Sequence, residues 1–183
     1  MSEEKLIKNC APTLAGIKTA NLFNEYFNDK QDVLNDIKKF NLSFKGTDIK
    51  MVPIAFKDNR ALIYVYRISD LKNDFTNNIS KDILARYGYN SEDIYMSIKK
   101  LTLRIENLED FPHEIGLFLG YPPNDVKGFI DNKGKNYKSL GYWKVYDDVG
   151  LARKTFKKYE LCQQIYLDRL KRGTALSQLI ISK

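Results

Sequence analysis

Hydrophobic positions that recur every three or four residues predict that most of the chain is helical. With serine or proline at several starts, the pattern predicts helices over 11–27, 32–40, 69–77, 80–87, 91–108, 124–130 and 147–172. The last of these is the longest, and Gly173 follows it at the place where a helix end favours glycine. The predicted fold therefore has a helix near each end of the chain.

Two neighbouring segments, Met51–Phe56 and Ala61–Arg67, are rich in β-forming residues and predict a hairpin around a short polar loop. Because Pro53 cannot donate to a neighbouring strand, the first of these strands is predicted to lie at a sheet edge or to carry a bulge. Two compact hydrophobic runs, Ile115–Tyr121 and Gly141–Tyr146, predict two further strands.

Strands that are separated by helices indicate the α+β class. We expect a single domain over residues 1–183, in which an antiparallel or mixed sheet of about four strands packs with an N-terminal helix and a long C-terminal helix. The 12 tyrosines and 10 phenylalanines are enough to form a sizeable aromatic core.

The sequence contains no segment that predicts membrane insertion or secretion. No stretch approaches the roughly 18 apolar residues that a membrane span needs, and the charged first residues lead into no signal peptide. We therefore expect a cytoplasmic protein, in which Cys10 and Cys162 are free thiols. Since two cysteines and one histidine fall short of a tetrahedral zinc site, we expect neither a metal nor a cofactor.

The net charge of +7 comes entirely from the last third of the chain. Residues 1–122 carry 17 basic and 17 acidic side chains, whereas residues 123–183 carry 13 and 6. This asymmetry suits an acidic protein or a small phosphate-bearing molecule as partner, although a solvated basic helix is the simpler explanation. No recognisable nucleic-acid module accompanies the charge, so we do not expect nucleic acid as the partner.

Cys10 and the single histidine, His113, are the candidates for covalent chemistry. A thiol just before a helix has a lowered pKa, and an imidazole held nearby can act as its base. The alternative is that Cys10 is an ordinary core residue and that His113 only fixes a proline turn.

At these two places the chain resembles papain-like cysteine peptidases that process bacteriocin leaders. The segment Cys10-Ala11-Pro12-Thr13 is similar to their nucleophile motif, and His113 through Gly120-Tyr121 is similar to the strand that carries their histidine. The resemblance implies a cysteine-dependent hydrolase or acyltransferase, with Cys10 as nucleophile and His113 as base. The third catalytic member of these peptidases has no clear counterpart; Asp131, at a predicted helix end, is the nearest match by spacing. Ala11 replaces the usual glycine, and no glutamine precedes Cys10 to act as oxyanion donor.

A broader resemblance involves four segments: the one around Cys10, Phe111-Pro112-His113-Glu114-Ile115-Gly116, Leu119-Gly120-Tyr121-Pro122 and Gly141-Tyr142-Trp143-Lys144-Val145-Tyr146. They are similar to an uncharacterised family of anaerobic bacteria marked by PHE and LGYP motifs, which implies no activity or ligand. The competing hypothesis to an enzyme is a non-catalytic binding or adaptor domain. Its candidate binding residues are Glu114, Tyr121, Lys135, Lys138, Trp143 and Lys144, with Glu114 predicted to pair with the basic C-terminal third.

Overall fold

The computed structural model describes residues 1–107 and 111–181. Its helices are α1 (Glu3–Leu14), α2 (Lys30–Ser43), α3 (Ile68–Asp74), α4 (Asn78–Arg86), α5 (Ile94–Asn107), α6 (Ile115–Phe118), α7 (Pro123–Asp131), α8 (Val149–Lys171) and α9 (Leu176–Leu179). Its strands are β1 (Ala20–Tyr26), β2 (Ile49–Lys57), β3 (Arg60–Arg67), β4 (Ser139–Leu140) and β5 (Lys144–Val145). The α+β prediction is confirmed, and the strand pairs are antiparallel.

The chain divides into two compact units. Unit 1 combines Met1–Ser69 with Leu161–Lys183, and unit 2 is the intervening segment Asp70–Glu160. The division falls within α8. A single domain over residues 1–183 stays a prediction.

Unit 1 is built on a three-stranded antiparallel sheet in the order β1-β3-β2. The predicted hairpin is confirmed as β2 and β3, and its turn is Asp58-Asn59, with φ values of 49° and 57°. Positive φ at both central residues is the geometry of a type I′ turn, whose twist matches that of the strands. The prediction for Pro53 is also confirmed, because β2 is an edge strand and its register shifts between Pro53 and Ala55.

The helix predicted over residues 11–27 is wrong in its bounds. Helix α1 ends at Leu14, and Gly16 adopts a φ of 68° where a helical φ would continue the turn. The chain then enters β1, where Leu22 and Phe23 lie opposite Tyr64 and Ile63 of β3. Pairing with β3 therefore overrides the helical spacing of these residues.

Pro12 lies inside α1 rather than in its first turn. A proline there has no N–H to donate to the carbonyl of Lys8, four residues earlier. The side-chain amide of Gln163, on α8, donates to that carbonyl instead. The lost helical bond is thus replaced by a contact from a distant part of unit 1.

The core of unit 1 lies between the sheet and its helices. Cys10 and Leu14 of α1, Ile63 and Val65 of β3, and Cys162 of α8 belong to this buried cluster. Both cysteines are therefore buried.

Arg67 ends β3 and is fully buried. Its guanidinium donates to the carbonyls of Thr13 and Leu14, at 2.6 and 2.7 Å, and to that of Ile181, at 2.7 Å. The first two carbonyls lie at the C-terminal end of α1, where the helix dipole favours a positive charge. One buried side chain therefore joins the end of α1 to the end of the described chain.

Unit 2 consists of most of α3, the helices α4 to α7, the two-stranded ribbon β4–β5 and the first part of α8. Helices predicted over residues 69–77, 80–87, 91–108 and 124–130 are confirmed as α3, α4, α5 and α7. Leu108, the predicted end of the third, lies outside the described residues. Helix α4 is capped by Asn77, whose side chain accepts from the backbone of Ile79 and Ser80, so Ser80 is not the cap that its position suggested.

Two strand predictions in unit 2 need correction. Residues 115–121 contain a short helix, α6, rather than a strand. A buried apolar run of this length is compatible with either structure, so its pattern alone does not distinguish them. Gly120, with a φ of 69°, then reverses the chain before Tyr121. Residues 141–146 do not form one strand, since Gly141 lies in the turn between β4 and β5.

Helix α8 is confirmed and ends before Gly173, which has a φ of 86°. Its buried side includes Ala152, Phe156, Tyr159 and Tyr166, whereas Ile165 is exposed. None of the helices in the described parts of the chain is long and apolar enough to cross a membrane.

Candidate functional site

Unit 2 contains a cavity of about 280 Å³ that opens to solvent. Its wall is formed by the loop before α6 with α6 itself, by α7, and by the ribbon β4–β5. Of the described side chains that line it, six carry aromatic rings: Phe111, His113, Tyr121, Phe129, Tyr142 and Trp143. Three of the motifs that carry the broad sequence resemblance therefore meet at one cavity.

Trp143 is the only tryptophan of the chain, and its ring is held on two sides. Tyr121 stacks on it with ring centres 5.0 Å apart and planes 30° from parallel. Phe156 of α8 meets it edge-on, at 4.6 Å and 80°. Contacts of these two kinds are favourable geometries for aromatic pairs, so the indole forms a fixed part of the cavity wall.

Asp125, in the first turn of α7, accepts hydrogen bonds from the ribbon β4–β5 and from the residues that follow it. One carboxylate oxygen accepts from Nε1 of Trp143 at 2.7 Å. The other accepts from the backbone N–H groups of Tyr146 and Asp147, at 2.7 and 2.9 Å. Since Asp125 is only 3% exposed, these three donors compensate its buried charge. Asp125 thus sets the orientation of Trp143 and the course of the chain after β5.

Lys144, at the start of β5, supplies a cation to the cavity wall. Its ammonium donates to the carbonyl of Gly134 at 2.8 Å. It also lies over the rings of Phe129 and Tyr137, 5.4 and 5.0 Å from their centres. These cation–π contacts hold the ammonium against ring faces rather than free in solvent.

Close packing explains two glycines of the cavity wall. A Cβ added to Gly116 would lie 2.7 Å from Cγ2 of Val126, and one added to Gly141 would lie 2.1 Å from Cε2 of Phe156. Both distances are shorter than a side chain tolerates. The glycines therefore allow α6 to approach α7, and the ribbon to approach α8.

Tyr121 follows Gly120 and is largely removed from water. Burial raises the pKa of its hydroxyl to about 12. Tyr159, in the same unit, is also raised to about 12, chiefly by burial. Both phenols are therefore neutral at physiological pH, and neither supplies a phenolate to the cavity.

The predicted partner of Glu114 is wrong. Its Oε1 accepts from the hydroxyl of Tyr89 at 2.9 Å and from Nε of Arg104 at 2.8 Å. Both partners precede it in the chain, so they do not come from the basic C-terminal third. Glu114 is 1% exposed and does not line the cavity. It anchors the loop that carries His113, because its buried charge is held by α5.

Of the other candidate residues in unit 2, some line the cavity and others do not. His113 is exposed and lines the cavity, with its ring edge-on to that of Phe129 at 5.0 Å. Asp131 lies at the end of α7 and forms an ion pair with Lys127. Lys135 and Lys138 are exposed and do not line the cavity, and Lys138 donates to the carbonyl of Asp147. Tyr121, Trp143 and Lys144 are thus the predicted binding residues found on the wall.

Cys10 has none of the local features that were predicted to activate it. It lies in the second half of α1, not before its start, and it is fully buried. Burial raises the pKa of its thiol, and the charge of Lys18 opposes this only in part. Cys10 belongs to unit 1 and His113 to unit 2. A catalytic pairing of the two stays a prediction, and the state of the thiol does not favour it.

We expect Cys10 to resist iodoacetamide in the folded protein up to about pH 9, where an ordinary exposed thiol reacts. Urea should make it reactive, and mass spectrometry of the labelled peptide gives the rate in both states. Because the folded thiol keeps its proton above the pH at which the unfolded one loses it, Cys10 also lowers stability as the pH rises past about 8.5. Labelling of native Cys10 at pH 7 would contradict this environment.

Three residues of the site were not foreseen as functional from the sequence. They are Asp125, Phe129 and Phe156, none of which is among the predicted catalytic or binding residues. The available signal was the single tryptophan, since a buried indole N–H needs an acceptor. Among the described residues, no group of three histidine, cysteine or acidic side chains could hold a metal ion.

Comparison with known proteins identifies a family. A family model described as a protein of unknown function (DUF3793) matches residues 6–180. No curated protein and no solved structure matches the chain. The predicted resemblance to an uncharacterised family is confirmed, whereas the similarity to papain-like peptidases is not.

Proposed function

The chain belongs to the DUF3793 family, whose function is unknown, and from the geometry of unit 2 we propose that it is a non-catalytic binding domain for a small, flat ring compound. The observation that carries this proposal is the convergence of three separate motif segments on one cavity lined by rings. A volume of about 280 Å³ lies near the lower end for small-molecule sites.

The cavity wall is suited to stacking. Trp143 is held by Tyr121, Phe156 and the carboxylate of Asp125 before any ligand arrives. A wall that is already ordered loses little conformational entropy on binding, which favours affinity. Ring faces recognise another flat ring system through offset or edge contacts.

The same wall gives less support to a hydrolase. The phenol of Tyr121 is neutral, and both oxygens of Asp125 already accept hydrogen bonds. His113 lines the cavity, and its described contact is with the ring of Phe129. Binding therefore accounts for more of the cavity wall than catalysis does.

The probe for this proposal is N-phenyl-1-naphthylamine, a neutral compound with three aromatic rings that fluoresces in apolar surroundings. We expect saturable binding, with energy transfer from Trp143 because the single tryptophan lies in the wall. Truncation of Phe111 or Leu140 to alanine should weaken binding about fivefold, since each contributes apolar surface to the wall. Both side chains are substantially exposed, so these changes should leave the fold intact.

Matched controls are Tyr95→Ala and Leu103→Ala, on α5 of the same unit. These side chains are 57% and 51% exposed, similar to Phe111 at 49%, and neither lines the cavity. They should leave the dissociation constant of the probe unchanged. Equal weakening by the controls, or non-saturable binding, would refute the cavity as the binding site.

A further inference from the structure

The charges on the cavity wall indicate which ring compounds it accepts. Among the described lining residues, the charged side chains are Asp125 and Lys144. The charge of Asp125 is compensated by three N–H donors, and the residue is buried. The charge of Lys144 has no described carboxylate against it, because its contacts are one carbonyl and two ring faces. The two formal charges cancel, but the carboxylate is buried and both of its oxygens already accept hydrogen bonds, so the ammonium of Lys144 is the charge that a ligand can bind.

We propose that the ligand is a ring compound with an anionic substituent, a carboxylate, sulfonate or phosphate, and that Lys144 is the residue that selects it. This inference rests on the proposed function. An ammonium has three donors, and the bond to Gly134 uses one of them. The remaining donors can bind an anion at the cavity wall.

The surroundings of Lys144 strengthen its attraction for an anion. Ring faces of Phe129 and Tyr137 lie within 5.4 Å of the ammonium, and apolar surroundings screen a charge less than water does. Lys133, Lys135 and Lys138, in and after the loop that follows α7, are exposed and add positive potential without lining the cavity.

A cationic ring compound fits this wall poorly. The rings of Phe129 and Tyr137 could face a cation, but the ammonium of Lys144 already lies over both of them. A second cation would have to displace Lys144 or lie beside it, and like charges at that separation repel. The same contacts that hold Lys144 therefore exclude ligands of its own sign.

The test compares two probes that differ in one group. The first is 8-anilino-1-naphthalenesulfonate, and the second is the neutral N-phenyl-1-naphthylamine, which has the same rings without the sulfonate. We expect Lys144→Met to weaken binding of the sulfonate about tenfold and binding of the neutral probe by less than twofold. Lys144→Arg should retain most of the affinity for the sulfonate, because it keeps the charge.

Lys135→Met is the matched control, since Lys135 is exposed in the same region and does not line the cavity. It should change neither dissociation constant, and circular dichroism should show all variants folded. Equal effects of Lys144→Met on both probes, or none on the sulfonate, would overturn the role of Lys144 alone. Failure of the neutral probe to bind the unmodified protein would overturn the proposed function, so the two failures are distinguishable.

Discussion

Replacement of Arg67 by methionine is expected to lower the free energy of unfolding by about 3 kcal/mol. The guanidinium donates to three backbone carbonyls at 2.6 to 2.7 Å and is fully buried. Methionine fills much of the volume but donates nothing, so polar oxygens would face an apolar side chain. Urea unfolding followed by far-ultraviolet circular dichroism measures the loss.

The control for this change is Arg60→Met, at the exposed start of the same strand, β3. It should alter stability by no more than about 0.5 kcal/mol, as surface substitutions usually do. Arg67→Lys keeps the charge but lacks the planar fork that reaches several carbonyls at once, and we expect an intermediate loss. Similar stability of the Arg67→Met and Arg60→Met proteins would show that the three bonds contribute little.

Asp125→Asn is expected to cost about 2 kcal/mol of stability and to loosen Trp143. The carboxylate of Asp125 has two oxygens, which together accept from three N–H groups, whereas asparagine has only one accepting oxygen. Its amide nitrogen would therefore face a donor, either the indole or the backbone after β5. We expect the tryptophan emission to shift to longer wavelength as the indole gains water, together with a lower urea midpoint.

Asp131→Asn gives the same chemical change on the same helix, α7. Asp131 is exposed and its described partner is Lys127, four residues earlier. Exposed pairs of this kind contribute well under 1 kcal/mol, so stability and emission should stay close to those of the unmodified protein. If Asp125→Asn behaved like Asp131→Asn, the carboxylate would not be what positions the indole.

Local signals in the sequence were sufficient for elements that depend on their own residues. The turn at Asp58-Asn59, the edge position of Pro53 and the end of α8 before Gly173 follow from backbone preferences of a few residues. Predictions failed where the partner decided the structure. Strand β1 shows helical spacing but pairs with β3. The run at 115–121 contains a short helix, which its hydrophobic pattern could not distinguish from a strand because either structure would bury the side chains.

The candidate site was partly predictable for the same reason. Tyr121, Trp143 and Lys144 stood out as aromatic and basic residues in motif segments, and they line the cavity. The partners of Asp125 and Glu114 could not be read from the sequence, because hydrogen bonds between side chains 10 to 25 positions apart depend on the fold. Pro12 favours a helix start just after Cys10, but α1 begins earlier and continues through Pro12. The hydrogen bond that Pro12 cannot donate comes instead from Gln163, which is too far along the chain for the sequence to reveal.

The division of the chain has a consequence for the order in which it can fold during synthesis. Unit 2 is one continuous segment, so all of it has been synthesised once Glu160 has left the ribosome. Unit 1 can be completed only later in synthesis. The carbonyl of Lys8 accepts from Gln163, and the guanidinium of Arg67 donates to the carbonyl of Ile181, so both bonds require residues near the C-terminal end. Domains commonly form from the N-terminus onward as the chain emerges. Here the inner segment can form first, and the N-terminal residues are the ones that finish last.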